Sequence, residues 1–499
     1  MAFGYPVFIG TGPSCKLPRT SNPWRSLVRK IICLAYPSIK WHRLIDAGLG
    51  ALAICVIPCF TSLASETQPL PESILQEYKK CFSSLSCTSC HERIGAQHAK
   101  TYHAQSYSDP LFKGQYFKEL LPQAEKDPEL YQEARSCMAC HSPIDYLVQN
   151  GSILSEDQVN PDWAGVGCAF CHSIAGYEGK MPGNGNFISK PSRECVYGPF
   201  VEKTKWHHFY SELHTKSEFC AICHNGVNRY GLETKSTYTE WKNSVYAERK
   251  IQCQDCHMSA VGFLPEGKPV FEEGCAVNPD LDFCQAPDRP RLYSHRFPGA
   301  HSKTQILGAG DITLQIETEK PYVSPGDEVR IYIFVNNSRA GHKMPSGSAD
   351  LRQIWLEFDA YDGVNKIPIP ALSVGADAYD VTGKGPSDQE ILGEDIPIGT
   401  RLYRAILIDK ENKQTLSSYN AVKIIFDNRL NAAEIRKETY TFKVPKDVKG
   451  KINLKANLNY LPYPSSFSRR FGLPKPESFT FTSISKELPL YNHAVGMGP

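Results

Sequence analysis

The chain has 499 residues, 41% apolar and 22% charged, with a net charge of +2. With a mean hydropathy of −0.36, this excludes a polytopic membrane protein, a disordered tail and a collagen-like chain; the near-zero charge excludes a nucleic-acid binder held by charge alone. All 18 cysteines fall before residue 285. A disulfide scaffold is normally short, so in a chain of this length they are read first for cofactor chemistry.

Residues 1–64 carry seven Lys/Arg and one acid, and the bases precede an apolar run from Ala47 to Leu63 with small residues at Ser62 and Ala64. This is the layout of a secretory signal peptide cleaved after Ala64; the alternative is an uncleaved N-terminal anchor. Without the segment the net charge falls from +2 to −4. The protein is therefore expected to be exported, periplasmic or extracellular, where thiols can be oxidised.

From residue 87 the chain reads Cys-x-x-Cys-His five times, at Cys87-Cys90-His91, Cys137-Cys140-His141, Cys168-Cys171-His172, Cys220-Cys223-His224 and Cys253-Cys256-His257. This spacing is the c-type haem attachment signature. Thiols at i and i+3 add to the two haem vinyl groups, and the next residue sets an imidazole on the iron. Zinc sites pair two Cys-x-x-Cys units on one ion, and a thioredoxin-like motif occurs once; neither explains a His after every pair. The expected cofactor is haem c, five copies, with the ten cysteines as attachment points and the five histidines as axial ligands.

Nine histidines lie outside the leader and the motifs: His98, His103, His207, His208, His214, His295, His301, His342 and His493. Fast electron transfer favours a low-spin iron with two fixed strong ligands. The expected sixth ligands are His103, His208, His214, His295 and His342, with His207 and His301 in reserve. Cys81, Cys195, Cys275 and Cys284 remain for up to two disulfides, Cys275 with Cys284 being the first choice.

Helices are expected at Pro71–Lys80, Ile94–Ser106, Asp127–Ser136 and Tyr238–Arg249, separated by Gly/Pro/Asn-rich loops. The texture changes near residue 304. Period-2 stretches follow at Asp311–Glu317, Glu328–Asn336, Gln353–Tyr361, Leu402–Ile408, Val422–Phe426, Thr439–Val444 and Ile452–Tyr460. Seven short strands suggest an immunoglobulin-like sandwich. The fold class is α+β multidomain: a leader over 1–64, a mostly helical and loop multihaem cytochrome c domain over 65–303, an immunoglobulin-like β-sandwich over 304–485 and a tail over 486–499.

Cys87 to Ser106 resembles the opening of the cytochrome c-554-like multihaem family, in which a haem motif precedes a short helix and a distal His. Ser217–His224, Thr237–Ser244 and Cys253–Met258 are similar to that family's core signature, as is Gly341–Gly347 with Arg352 and Trp355. The resemblance implies stacked bis-His haems and electron transfer. The expected function is an exported multihaem c-type cytochrome carrying electrons along five mostly bis-His haems, with no catalytic residue assigned. The alternatives are a haem redox enzyme acting on a nitrogen or sulfur oxide at one open-site haem, and a subunit of an extracellular conducting filament. The expected partners are redox proteins, other cytochromes among them, and a second copy in the filament reading. No nucleic acid is expected, and a membrane only through an uncleaved anchor.

Overall fold

The structure is a computed structural model that describes residues 71–84, 86–191, 196–202, 209–278, 280–281, 286–297, 299, 303–317, 322–369 and 379–491. The leader, His207, His208, His301, His493, Cys195 and Cys284 lie outside the described residues. Among the described residues no helix is long and apolar enough to cross a membrane.

The first half is built from short helices: α1 (Glu72–Ser84), α2 (Glu92–His98), α3 (Pro128–His141), α4 (Cys168–Cys171), α5 (Ser217–His224), α6 (Thr237–Lys242) and α7 (Cys253–His257). Helix α3 shows how the sequence sets one of them. The Asp127 side chain accepts hydrogen bonds from the Glu129 and Leu130 amides, and Pro128 occupies the first turn, the signals of a helix start. Leu130, Ala134 and Met138 recur every four residues and are buried, and the helix closes on the second Cys-x-x-Cys-His. The helix expected at Ile94–Ser106 ends at His98. Beyond it the Thr101 hydroxyl accepts from the Ala104 amide and Ser106 donates to the His103 carbonyl; such local bonds compete with the helical ladder. Four two-stranded pairings also lie in this half; two of them are the hairpins β1 (Ile174–Tyr177) with β2 (Phe187–Ser189) and β3 (Gly226–Val227) with β4 (Glu233–Lys235).

The strands of the second half are β5 (Asp311–Glu317), β6 (Glu328–Asn336), β7 (Gln353–Asp362), β8 (Asn365–Ile367), β9 (Arg401–Tyr403), β10 (Ala405–Ile408), β11 (Lys423–Asp427), β12 (Ile435–Lys443), β13 (Ile452–Leu461) and β14 (Phe479–Leu488). Helix-rich and strand-rich stretches are segregated along the chain, an α+β arrangement. One antiparallel sheet runs β12-β6-β5; the other runs β8-β7-β13-β14, with β9 also on β7. The two share one core. Ile331 and Ile333 of β6 and Leu454 of β13 are wholly buried in it, with Ile354 and Leu356 of β7. Alternation explains β6, whose odd-numbered residues from Val329 to Val335 face inward. Strand β7 is buried on both faces, because Trp355 packs outward onto Leu351, Leu402 and Phe467.

Strands β8 and β14 were not expected from sequence, and the strand expected at Leu402–Ile408 is two. It breaks at Arg404, whose fully buried guanidinium pairs with Asp388 and whose amide donates to the Asn428 side chain. A buried charge must be paired, and the chain leaves the ladder there to pair it.

Candidate functional site

Each motif sits on a helical turn: the first on a 3-10 turn at Cys87–Ser89, the others at the ends of α3, α5 and α7 or in α4. Residues three apart share a face of such a turn, so both thiols point the same way and the following His closes the turn. A cavity of about 1220 Å³ is lined by the cysteines and histidines of all five motifs.

The imidazoles are oriented by backbone carbonyls. Nδ1 of His91 lies 3.0 Å from Ala276 O, that of His141 2.8 Å from Ser106 O, and that of His172 2.6 Å from Tyr197 O. A carbonyl can only accept, so each Nδ1 carries the proton and Nε2 is left for a metal, the usual outer-shell arrangement of ligating histidines. His295 donates in the same way to Tyr293 O at 3.0 Å, and His342 to Lys343 O at 2.8 Å.

Three motif histidines have a second imidazole facing them. The ring centroids of His257 and His342 are 6.4 Å apart, those of His172 and His295 6.4 Å, and those of His224 and His103 5.9 Å. Two imidazoles with a metal between them, at about 2 Å from each nitrogen, have centroids about 6 Å apart. His214 also approaches His172, at 5.6 Å. Its Nε2 is 3.2 Å from Cys171 O, and its Nδ1 is buried without a hydrogen-bond partner. His295 therefore has the better ligand geometry opposite His172. His98 has its Nε2 on Val166 O at 2.9 Å. The His141 ring lies flat on Phe112, 3.8 Å between centroids, and among the described residues no second imidazole makes a ring contact with it. Of the expected sixth ligands, His103, His295 and His342 are thus brought to motif histidines and His214 to a shared one, while His208 lies outside the described residues.

Burial lowers the basicity of this set. It pushes His103 and His214 down to about 3 and His141 and His295 down to about 4, and it lowers His224 as well. Neutral imidazole, the ligating form, is held down to acidic pH.

The thiols record which motifs are neighbours. The thiols of Cys87 and Cys168, of Cys140 and Cys223, and of Cys220 and Cys253 influence one another as near neighbours. Cys87, Cys137, Cys140, Cys168, Cys171, Cys220, Cys223, Cys253 and Cys256 are in no disulfide, whereas Cys90 is disulfide-bonded. Cys275 is free, its thiol donating to Ala286 O at 3.3 Å. The expected Cys275–Cys284 disulfide is therefore not formed. Nearness in sequence does not by itself bring two Cβ atoms to bonding geometry.

The loop bearing His342 is fixed to the helical half through Glu240 of α6. Its carboxylate accepts from Ser236, from Ser346 at 2.6 Å and from the Lys343 amide at 3.2 Å, and it pairs with Arg429 at 2.8 Å. Both side chains of that ion pair are about 95% buried. Gly341 lets the loop come close, since a Cβ there would meet Tyr246 Cγ at 3.3 Å. Neither Glu240 nor Arg429 was singled out from sequence: Glu240 lies within the Thr237–Ser244 stretch without standing out there, and Arg429 lies far away in the chain.

His103 is held by its carbonyl, which accepts from the Val166 amide at 2.8 Å. The preceding Gly165 has φ +85°, and a Cβ there would sit 2.2 Å from Ala104 O. Gly165→Ala is expected to cost more than about 1 kcal/mol and to disturb His103. Urea denaturation together with the low-spin absorption of the holoprotein checks this, and an unchanged midpoint and spectrum would refute it.

The donor set fits haem c: thiol pairs on one face of a turn, imidazoles oriented by backbone carbonyls through Nδ1, and an orphaned imidazole nitrogen at His214. Residues 86–173 match the family of cytochrome c554 and c-prime. The penta-haem cytochrome c552 from Thermochromatium tepidum has a similar fold, with a TM-score of 0.57 at 17% identity, covering 82% of this chain and 100% of that one. The sporulation control protein Spo0M from Bacillus subtilis aligns at a TM-score of only 0.15 and 12% identity over 37% of this chain and 51% of its own. No curated protein matches.

Proposed function

We propose that the chain is a multihaem c-type cytochrome, an exported electron carrier holding five haem c groups, mostly with two histidine ligands; the family match over residues 86–173 and the fold shared with a penta-haem cytochrome support this reading. Haem c supplies the one-electron couple of its iron. The residues would supply attachment and orientation: the five cysteine pairs would anchor it, and His91, His141, His172, His224 and His257 would ligate it. His295, His103 and His342, which face His172, His224 and His257, would be the second ligands. The observation that carries this reading is the facing of those three imidazole pairs at about 6 Å. Two strong ligands fixed by packing leave little to move on reduction, which suits a carrier.

The strand-rich part is read as an immunoglobulin-like sandwich. What supports it is the split of β5, β6 and β12 into one sheet and β7, β13 and β14 into the other, the division such sandwiches make between their A-B-E and C-F-G strands. Export rests on the leader and the haem chemistry. Redox proteins, including other cytochromes or a second copy, are the proposed partners.

Iron counted per chain, with low-temperature EPR of the ferric holoprotein, tests the reading. Five irons and predominantly low-spin signals unmoved by cyanide are expected; fewer irons, or high-spin signals from most of them, would sink it. One observation favours the enzyme reading at a single haem. His141 has Phe112 against its ring and no second imidazole among the described residues. A single high-spin iron that binds cyanide, and vanishes in His141→Met, would select that reading for the second motif.

A further inference from the structure

Ser106 is tied to two histidines of the site at once. Its hydroxyl lies 2.9 Å from His103 O and 3.0 Å from His141 O, so one proton serves two carbonyls. Its own carbonyl accepts from His141 Nδ1 at 2.8 Å, and its amide donates to His103 O at 3.3 Å. Hydroxyl, carbonyl and amide are thus all engaged with His103 or with His141, which lies 35 residues further along the chain.

The local fold leaves these bonds to a short hydroxyl side chain. His141 ends α3, and the last carbonyls of a helix have no partner within it. Residues 101–108 form a run of turns, in which a serine can reach back three residues to a carbonyl. A second restraint acts on the same imidazole. Phe112 lies flat on the His141 ring, with the planes within 2° of each other. Phe112 fixes the plane of the ring, and Ser106, by holding Nδ1, fixes the direction of Nε2. On its other side the turn carries His103, whose ring faces His224 at 5.9 Å.

We propose that Ser106 is a positioning residue shared by two haem sites: its carbonyl aims His141 at the iron of the second motif, and its hydroxyl holds His103 over the iron of the fourth. The inference rests on the reading that both motifs carry haem c with those ligands. The other three sites do not depend on this serine. His91 is oriented by Ala276 O, His172 by Tyr197 O, and His342, facing His257, by Lys343 O. Loss of one hydroxyl should therefore be felt at two irons and not at five.

The test is EPR of the ferric holoprotein with a cyanide titration, wild type against Ser106→Ala and Ser106→Thr, iron counted per chain. His141→Met and His103→Ala identify the signals of the second and fourth motifs. In Ser106→Ala those two signals should shift or broaden while the other three stay. His103 should yield to cyanide about tenfold more readily, the low end of what losing an outer-shell partner costs a metal ligand. Ser106→Thr, which keeps the donor, should restore both signals. Ser136→Ala is the control: its hydroxyl donates to Glu133 O within α3 at 2.7 Å, and its loss should change neither signal. A fully loaded Ser106→Ala with the wild-type spectrum overturns the inference. So do a change at only one of the two irons, a change at all five, a threonine variant that behaves like alanine, and an equal change in Ser136→Ala. If Ser106→Ala fails to load its haems, Ser106→Val, which has the bulk of threonine without its donor, takes the same measurement with the same outcomes. A wild-type chain lacking haem at the second or fourth motif, or a His103→Ala spectrum identical to wild type, fails the haem reading itself, whereas full loading with unmoved signals fails Ser106 alone.

Discussion

His342→Ala is expected to turn one low-spin iron of the holoprotein high-spin while the other irons keep their signals. The imidazole faces His257 at 6.4 Å with the ring planes within 11° of each other. Its Nδ1 is committed to Lys343 O, so Nε2 is the nitrogen available to iron. Alanine leaves the fifth motif with His257 alone, and the exposed iron should take up cyanide. EPR of the ferric protein and a cyanide titration check this; a spectrum identical to wild type would remove His342 from the ligand set. His342→Met should instead keep the iron low-spin and raise its potential, because a thioether ligand favours the reduced state.

Arg429→Met is expected to destabilise the holoprotein by about 3–5 kcal/mol, the usual result of breaking one side of a buried ion pair. Arg429 pairs with Glu240 and Asp427 and donates to Pro345 O. Its removal strands a buried carboxylate and frees the loop that carries His342. Loss of stability should therefore come with weakening of the same low-spin signal that His342→Ala abolishes, a coupling that a mere packing defect elsewhere would not produce. Denaturant midpoints and EPR on one sample decide it. The pH dependence has a definite sign. Burial alone would raise Glu240, but Arg429 and the hydroxyls of Ser346 and Ser236 hold its carboxyl below the usual range. A carboxyl depressed in the folded state contributes stability that is complete above its unfolded value of about 4.3 and is lost as pH falls through the lower folded value. In Arg429→Met that acid-side loss should begin at higher pH.

Both variants bear on residues of unequal legibility. His342 stands out in its Gly-His-Lys-Met-Pro-Ser-Gly setting, whereas Glu240 and Arg429 look like ordinary surface charges until the loop and α6 are seen to close over them. Phe112 was invisible for the same reason: a lone phenylalanine has meaning only through what surrounds it. The expected Cys275–Cys284 bond failed because proximity along the chain says nothing about the direction of two Cβ vectors. The split at Arg404 was missed because an apolar alternation of 402–408 hides one buried guanidinium.

The geometry of the five Cys-x-x-Cys-His turns was legible in the sequence alone. Two cysteines three apart and a histidine one further on occupy a single turn, so spacing dictates their geometry wherever the turn lies. The strand-rich second half was legible for a like reason, since period-2 alternation is local and gave β5 and β6 their bounds to the residue. Which further histidines face the motif histidines was decided only by the tertiary structure. His103 meets His224 and His342 meets His257 across long stretches of intervening chain, and several histidines of equal standing in the sequence compete for each iron. Which of them arrives depends on the hairpins, on the Gly165 turn and on the Glu240–Arg429 ion pair, contacts between distant segments that no local pattern encodes.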